Sequence, residues 1–318
     1  MPVTEKGPVT DGLAVVDKPA GWTSHDVVAR CRRIFGQRRV GHAGTLDPDA
    51  TGVLLVGLGR ATRLMRYLSG LPKRYSGVVE LGVATSTLDA SGEVTGRWDM
   101  TTVTLDEARS AALKLTGPIL QVPPMVSALK VGGRRLHELA REGKEVERAP
   151  RPVHIERFEL FEVARVDGLG GSPAFGFVVE CSSGTYVRTL VADLGTALGG
   201  GAHLRSLRRN AVGEWSESEA VPLDEVGPHQ VISMAGMLPH LAHLRVDAEL
   251  AGAVRHGKVL GCEELGAAGP GPWAVLDAQG ALLAVYEAHG ESRAKPAVVV
   301  AEAEPATSAP EPGTAAPR

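Results

Sequence analysis

Residues 41–52, GHAGTLDPDATG, constrain this chain more than any other stretch. Glycines and turn formers at this density cannot continue a helix or a regular paired strand. The pattern predicts a structured loop feeding the apolar strand of residues 53–58. Inside it, Pro48 restricts Asp47 to extended backbone, so the carboxylate has a set direction. Read locally, Asp47 is open to two accounts: an Asx-type turn bonding nearby backbone, or a carboxylate presented to a ligand. A metal site built on Asp47 and Asp49 is disfavoured, because no histidine or further carboxylate stands at ligand spacing.

Around this loop the chain shows several strands in succession and few helices. Residues 12–17, GLAVVD, are a short apolar strand stopped by Pro19 and Gly21. Ser24 is the expected N-cap of a helix in which Val27, Val28, Cys31, Ile34 and Phe35 recur at helical spacing up to Gly36. Residues 75–83 alternate as a strand. Thr104 and Glu107 form a capping-box pair ahead of an alanine- and leucine-rich helix ending by Gly117. Residues 117–124 are expected to be a proline-marked turn. Residues 127–151 are basic and glycine-punctuated, with one short helix at 136–141, and are expected to leave the core. Residues 153–166 and 175–181 predict paired strands around a glycine-rich turn, and 189–198 an amphipathic helix. Beyond about Pro239 come short strands at 244–246, 273–276 and 282–286. The fold class expected is α+β: a mixed, largely antiparallel sheet with flanking helices, then a small β-rich C-terminal domain. The expected divisions are a tail over 1–10, a first domain over 11–238, a second over 239–300, and a disordered Ala/Pro/Glu/Thr tail over 301–318.

Composition narrows the function classes. No apolar run reaches the roughly 20 residues of a membrane-spanning helix, and the polar N-terminus lacks a signal-peptide core. Cys31, Cys181 and Cys262 are isolated, offering neither a disulfide framework nor a zinc knuckle and suiting a reducing cytoplasm. The formal net charge is -3, yet arginines cluster: Arg30, Arg32, Arg33, Arg38 and Arg39, then Arg60, Arg63 and Arg66, then Arg205, Arg208 and Arg209. Phosphates respond to local field, so this composition permits a nucleic-acid partner without requiring one.

Six segments in order carry a resemblance: DKPAGWTSHD (17–26), the loop at 41–52, KRYSG (73–77), PPMVSALK (123–130), CSSGTYVRTL (181–190) and GAHLRSLRR (201–209). Together, over residues 12–213, they resemble the TruB family of tRNA pseudouridine synthases. The C-terminal domain resembles the family's small PUA-type RNA-binding module, more loosely. Val126 and His137 stand where the family's motifs often have tyrosine, a departure confined to the 127–151 region and its edge.

The resemblance implies a catalytic domain over 11–238, a PUA-like domain over 239–300, and a thumb-like RNA-contacting insertion over 127–151. It implies isomerisation of uridine to pseudouridine at position 55, in the TΨC loop of tRNA, by base flipping and without metal or other cofactor. Asp47 would be the catalytic carboxylate, paired with Arg188. Tyr75 would stack on the target base and is a candidate for taking the C5 proton. Tyr186 and Leu207 would line the uracil pocket. His42 would enter the RNA loop, and Lys18 would support the catalytic loop. Arg205, Arg208 and Arg209 would meet phosphates. The partner implied is the T stem-loop of tRNA, with no membrane, no obligatory protein partner, and a monomer in the cytoplasm. Two rivals stand beside this reading: a tRNA-folding protein on the same scaffold, and a glycoside hydrolase, which wants a second carboxylate flanking the bond.

Overall fold

The structure, a computed structural model, describes residues 9–127, 129–131, 133–135, 142, 144, 146–163 and 173–301. The chain divides into two compact units, Met1–Ile232 and Ser233–Arg318. The division falls at 232/233, a few residues before the expected 238/239, because the chain leaves the first unit once Ile232 has paired with Leu13.

In chain order the first unit runs β1 (Gly12–Lys18), α1 (Ser24–Ile34), β2 (Val40–Ala43), β3 (Thr51–Leu58), α2 (Met65–Ser69) and β4 (Lys73–Leu81). Then come β5 (Val83–Thr85), β6 (Val94–Arg97), α3 (Leu105–Leu113), β7 (Gly117–Gln121), β8 (Lys130–Val131), β9 (Arg134–Arg135) and β10 (Arg151–Glu162). It ends with β11 (Ala174–Cys181), α4 (Val187–Ala197), β12 (Ala202–Val212), β13 (Trp215–Ser216) and β14 (Val221–Pro222). Among the described residues these build one ten-stranded sheet in the order β14-β1-β3-β12-β4-β11-β10-β7, with β2 joining β3 and β13 joining β12. The β1–β14 and β3–β12 pairs are parallel and the other pairs of this sheet antiparallel. The expected α+β class with a mixed, largely antiparallel sheet is what forms.

β3 is the reason the sheet holds together at its centre. Val53, Leu54, Leu55, Val56 and Leu58 have no exposed surface, and each such side chain contributes on the order of 1.5–3 kcal/mol by leaving water. α1 buries Val27, Val28 and Cys31 in a cluster with Val16, Leu54 and Val56. α3 and α4 bury Ala108, Ala112, Leu190 and Leu194 with Val79, Phe158 and Phe177 in another.

Several local expectations change in the folded chain. The N-cap of α1 is Thr23, not Ser24: the Thr23 hydroxyl takes the Asp26 N–H and Asp26 answers, a reciprocal box. Ser24 is freed to bridge to the loop, exchanging hydrogen bonds with the Leu46 backbone. The loop is shorter than 41–52, since residues up to Ala43 pair with β3. Residues 117–121 form an edge strand against β10 where a turn was expected; Pro118 is tolerated there because an edge strand can spare an N–H. The capping box of α3 forms as Thr104 and Glu107 predict. The short helix expected at 136–141 lies outside the described residues, as do His137, the glycine-rich turn over 167–172 and the tail over 302–318.

The second unit has β15 (Ala242–Arg245), α5 (Ala248–Arg255), β16 (Leu260–Gly261), α6 (Cys262–Leu265), β17 (Trp273–Leu276), β18 (Leu282–His289) and β19 (Arg293–Val299). Its five-stranded sheet, β15-β17-β18-β19-β16, closes on Trp273, Val275 and Tyr286. It is the small β-rich domain that the spacing of short strands and glycine turns predicts.

Candidate active site

Three sheet neighbours converge where the turn after β2 returns to β3. Gly52 on β3 lies opposite Arg209 on β12, and Arg209 lies opposite Tyr75 on β4. The turn therefore exits in register with the tyrosine, with Arg209 on the strand between them. Gly52 has φ +101°, and a Cβ there would sit 2.2 Å from the Arg209 carbonyl oxygen, so glycine is required by both conformation and space. The turn is held from below as well. Lys18 has no exposed surface and its Nζ donates to the Pro48, Trp22 and Pro19 carbonyls at 2.9, 2.7 and 2.9 Å. Burial lowers its pKa to about 8, with Asp49 and Asp47 opposing that shift. The Gly21 N–H also donates to the Pro48 carbonyl.

Asp47 points into the space so framed. Arg188, second residue of α4, meets its carboxylate in a fork: Nε to Oδ2 at 2.9 Å and Nη2 to Oδ1 at 3.2 Å. The same guanidinium donates to the Thr87 and Val126 carbonyls at 2.9 and 2.8 Å and lies 3.5 Å from Asp89 Oδ2. Arg188 is 4 % exposed, so its planar set of donors is spent on fixing one arrangement. Asp47 keeps 44 % of its side-chain surface open, yet the surrounding protein desolvates it. That desolvation raises its pKa, Arg188 opposes the rise, and Asp89 adds to it.

A cavity of about 320 Å³ opens on Asp47 and is lined by Tyr75, Tyr186, Leu207, Lys73 and Arg209 among others. Tyr75 is 8 % exposed, and burial holds its phenol well above the ordinary range, so it is a neutral hydroxyl. A neighbouring cavity of about 250 Å³ shares Asp47, Arg188 and Leu207, and adds Asp89 and Arg205.

The expected residues divide accordingly. Asp47, Tyr75, Tyr186, Arg188 and Leu207 come together around one space. His42, on β2, lines neither cavity; it meets His25 edge to face at 5.4 Å, and burial lowers its pKa to about 4, keeping it neutral. Lys18 and Arg208 border a separate hollow with Trp22. The three arginines of the last motif have three different fates. Arg205 lines the second cavity and is tied to Glu80 at 3.1 Å. Arg208 forks onto Asp17 at 3.0 and 2.8 Å and also pairs with Glu217. Arg209 is 1 % exposed and donates to the Val53 and Gly44 carbonyls. For Arg209 the phosphate expectation is corrected: its charge is buried under the turn that carries Asp47.

Two residues escaped the sequence reading. Gln121, 1 % exposed, clamps the Tyr186 backbone in both directions, Nε2 to O at 3.1 Å and N to Oε1 at 2.8 Å. It was invisible because residues 117–124 were read as a turn. Asp89 sits in a turn, one oxygen taking bonds from Thr87 and Ser91. Its other oxygen reaches Arg188, a role that a turn motif does not advertise.

Comparison with known proteins agrees with this geometry. Residues 32–187 match the TruB family pseudouridylate synthase N-terminal domain, and residues 188–241 the tRNA pseudouridylate synthase B C-terminal domain. The chain is 46 % identical over 296 residues to the tRNA pseudouridine synthase B of Mycobacterium sp. (strain KMS), covering 92 % of this chain and 97 % of that protein. It is 44 % identical over 291 residues to that of Mycobacterium tuberculosis (strain ATCC 25618 / H37Rv), covering 91 % and 95 %. Among solved structures, a chain of a Cbf5-Nop10-Gar1 complex superposes with a TM-score of 0.71 at 25 % identity, over 92 % of this chain and 85 % of that one. Fold and site thus define an enzyme of the pseudouridine synthase class. The chain belongs to the TruB family.

Proposed function

We propose that this enzyme converts uridine 55 of tRNA to pseudouridine, with Asp47 as the catalytic carboxylate. The observation that carries the reading is the Asp47–Arg188 fork at the mouth of a cavity walled by Tyr75, Tyr186 and Leu207. Relatives nearly half identical over more than nine-tenths of the chain bear the name of a tRNA-modifying synthase, which supports tRNA as the substrate. Placement at the T stem-loop rests on the family resemblance.

The reaction breaks the N1–C1′ bond, turns the uracil and joins C5 to C1′; C5 loses a proton and N1 gains one. It consumes no redox equivalent and no nucleotide triphosphate. The ionised form of Asp47 is the reactive one in each route: addition to the sugar or the base, or removal of the 2′ proton. Arg188 favours that form and aims it. Tyr75, which lines the cavity, is suited to stack on a flipped uracil, with Tyr186 and Leu207 completing the slot. His42, neutral beside His25, is suited to occupy space vacated by flipped bases. Arg205 and Arg208 retain partial exposure for phosphate, and the insertion over 127–151 and the second unit are read as RNA-contacting.

The test is an unmodified tRNA transcript incubated with the protein and mapped for pseudouridine by chemical derivatisation. Product at the T loop, abolished in Asp47→Ala, is expected. Full activity in Asp47→Ala, or product at other positions alone, would overturn the proposal.

A further inference from the structure

The cavity beside Asp47 has a cation in its wall that the chemistry above does not use. Lys73 opens β4, two residues before Tyr75 and on the same side of that strand, and it is 7 % exposed. Its Nζ donates to the Ser69 and Leu71 carbonyls at 2.6 and 2.7 Å. An ammonium has three donors, so one remains for the cavity that Lys73 lines. Gly44 of the catalytic turn packs directly over it: a Cβ there would lie 3.8 Å from Lys73 Cε and 3.4 Å from Arg209 Nη1. Two buried cations thus lie under the turn that presents Asp47, one committed to backbone and one with a donor in hand.

We infer that Lys73 is a catalytic residue that holds a uracil carbonyl oxygen and stabilises the negative charge the base acquires when its glycosidic bond breaks. The inference rests on the proposed uridine chemistry and names the group that receives its charge. When N1–C1′ cleaves, the bonding electron pair stays with the base, giving a uracil anion with charge spread onto O2 and O4. The sugar is balanced either by a new bond from an Asp47 oxygen to C1′, or by loss of its 2′ proton to Asp47. The base supplies a pair from C5 to C1′ as the Asp47–C1′ bond breaks, or as the 2′ proton is returned from Asp47, and the C5 proton then leaves while N1 takes one up. A donor already in place where charge appears during reaction is among the arrangements that lower a barrier most. Placed at O4, the ammonium would meet a carbonyl in uracil and oppose the amino group that cytosine carries there.

Lys73 also satisfies carbonyls at the end of α2, so substitution can disturb structure as well as chemistry. The readouts are chosen to separate the two. Burial, reinforced by Arg209 on β12, lowers the Lys73 pKa to about 8, while Cys181 opposite on β11 acts the other way. The ammonium is the stabilising form, so its contribution is present below about pH 8 and lost above it.

The experiment measures single-turnover rates on a uridine-containing T stem-loop at saturating enzyme, with RNA affinity and melting temperature for each variant. Lys73→Met is expected to lower the rate about 10²-fold or more, the size of effect seen when one such donor is removed, with RNA affinity within a few-fold of wild type. Lys73→Arg is expected to recover part of the rate and to abolish the decline above pH 8. A stem-loop bearing 5-fluorouridine, whose base anion is more stable, should lose less glycosidic cleavage in Lys73→Met than the uridine substrate does. A folded Lys73→Met with the wild-type rate overturns the inference, as does a rate loss equal for both substrates and unchanged in its pH dependence. Because wild type is assayed in parallel, an inactive wild type would mark failure of the uridine reading instead.

Discussion

Arg188 meets Asp47 through two contacts, at 2.9 and 3.2 Å, and with the same guanidinium stands 3.5 Å from Asp89. These two neighbours act on the Asp47 pKa with opposite signs: Arg188 lowers it and Asp89 raises it, around a rise set by desolvation. In the proposed chemistry the ionised carboxylate is the reactive form, so the rate should grow as pH climbs through that pKa. Arg188→Gln should move this acid limb to higher pH and lower the plateau about 10²-fold, the equivalent of losing about 3 kcal/mol of charge-assisted bonding. Asp89→Asn should move the limb to lower pH. Profiles of single-turnover rate against pH decide it; shifts in the same direction in both variants would contradict the arrangement.

Gly52 should be intolerant of any side chain. In Gly52→Ala the new methyl meets the Arg209 backbone at 2.2 Å in a left-handed residue. A loss of about 3 kcal/mol or more in urea denaturation is expected, within the range that strain and clash produce. A change below about 1 kcal/mol would show that the β3–β12 junction relaxes freely.

Lys18 should reveal its burial through pH. Its pKa falls from the ordinary 10.5 to about 8, so the folded state loses its proton before the unfolded one does. Stability of the wild type relative to Lys18→Met should therefore rise between about pH 8 and 10.5 and be flat below it. Denaturation series at pH 7, 8, 9 and 10 measure this. A relative stability that falls across the window would mean that neighbouring carboxylates, not desolvation, dominate.

The arginines of the last motif should separate by salt dependence. Arg205→Ala should reduce the slope of log affinity for tRNA against log salt by about 1, since Arg205 is one-third exposed and tied to a single carboxylate. Arg208→Ala should change it less, its charge being shared by Asp17 and Glu217. Arg209→Ala should lower the melting temperature. A slope change larger in Arg208→Ala than in Arg205→Ala would reverse the assignment.

Much of this fold can be read in the chain. The capping box at Thr104, the apolar run of β3 and the paired strands β10 and β11 are local or period-two signals, and they form as the pattern predicts. β7 was missed because Gly117 and Pro118 look like a turn; pairing with β10 overrides that preference. Thr23 and Ser24 are both competent caps, and what separates them is the bond from Ser24 to Leu46, which spans 22 residues. Propensity has no term for a partner so distant.

The glycine-rich segment around Asp47 shows the same division. Its residues alone determined that the chain turns there, that Gly52 and Pro48 shape the turn, and that one carboxylate is presented with a set direction. Tertiary structure decided what the carboxylate faces. Arg188 arrives from 141 residues away, and Lys73 and Tyr75 arrive through sheet pairing. The physical reason is that backbone conformation is a local energy, whereas the field on Asp47 sums charges and desolvation from every element packed around it.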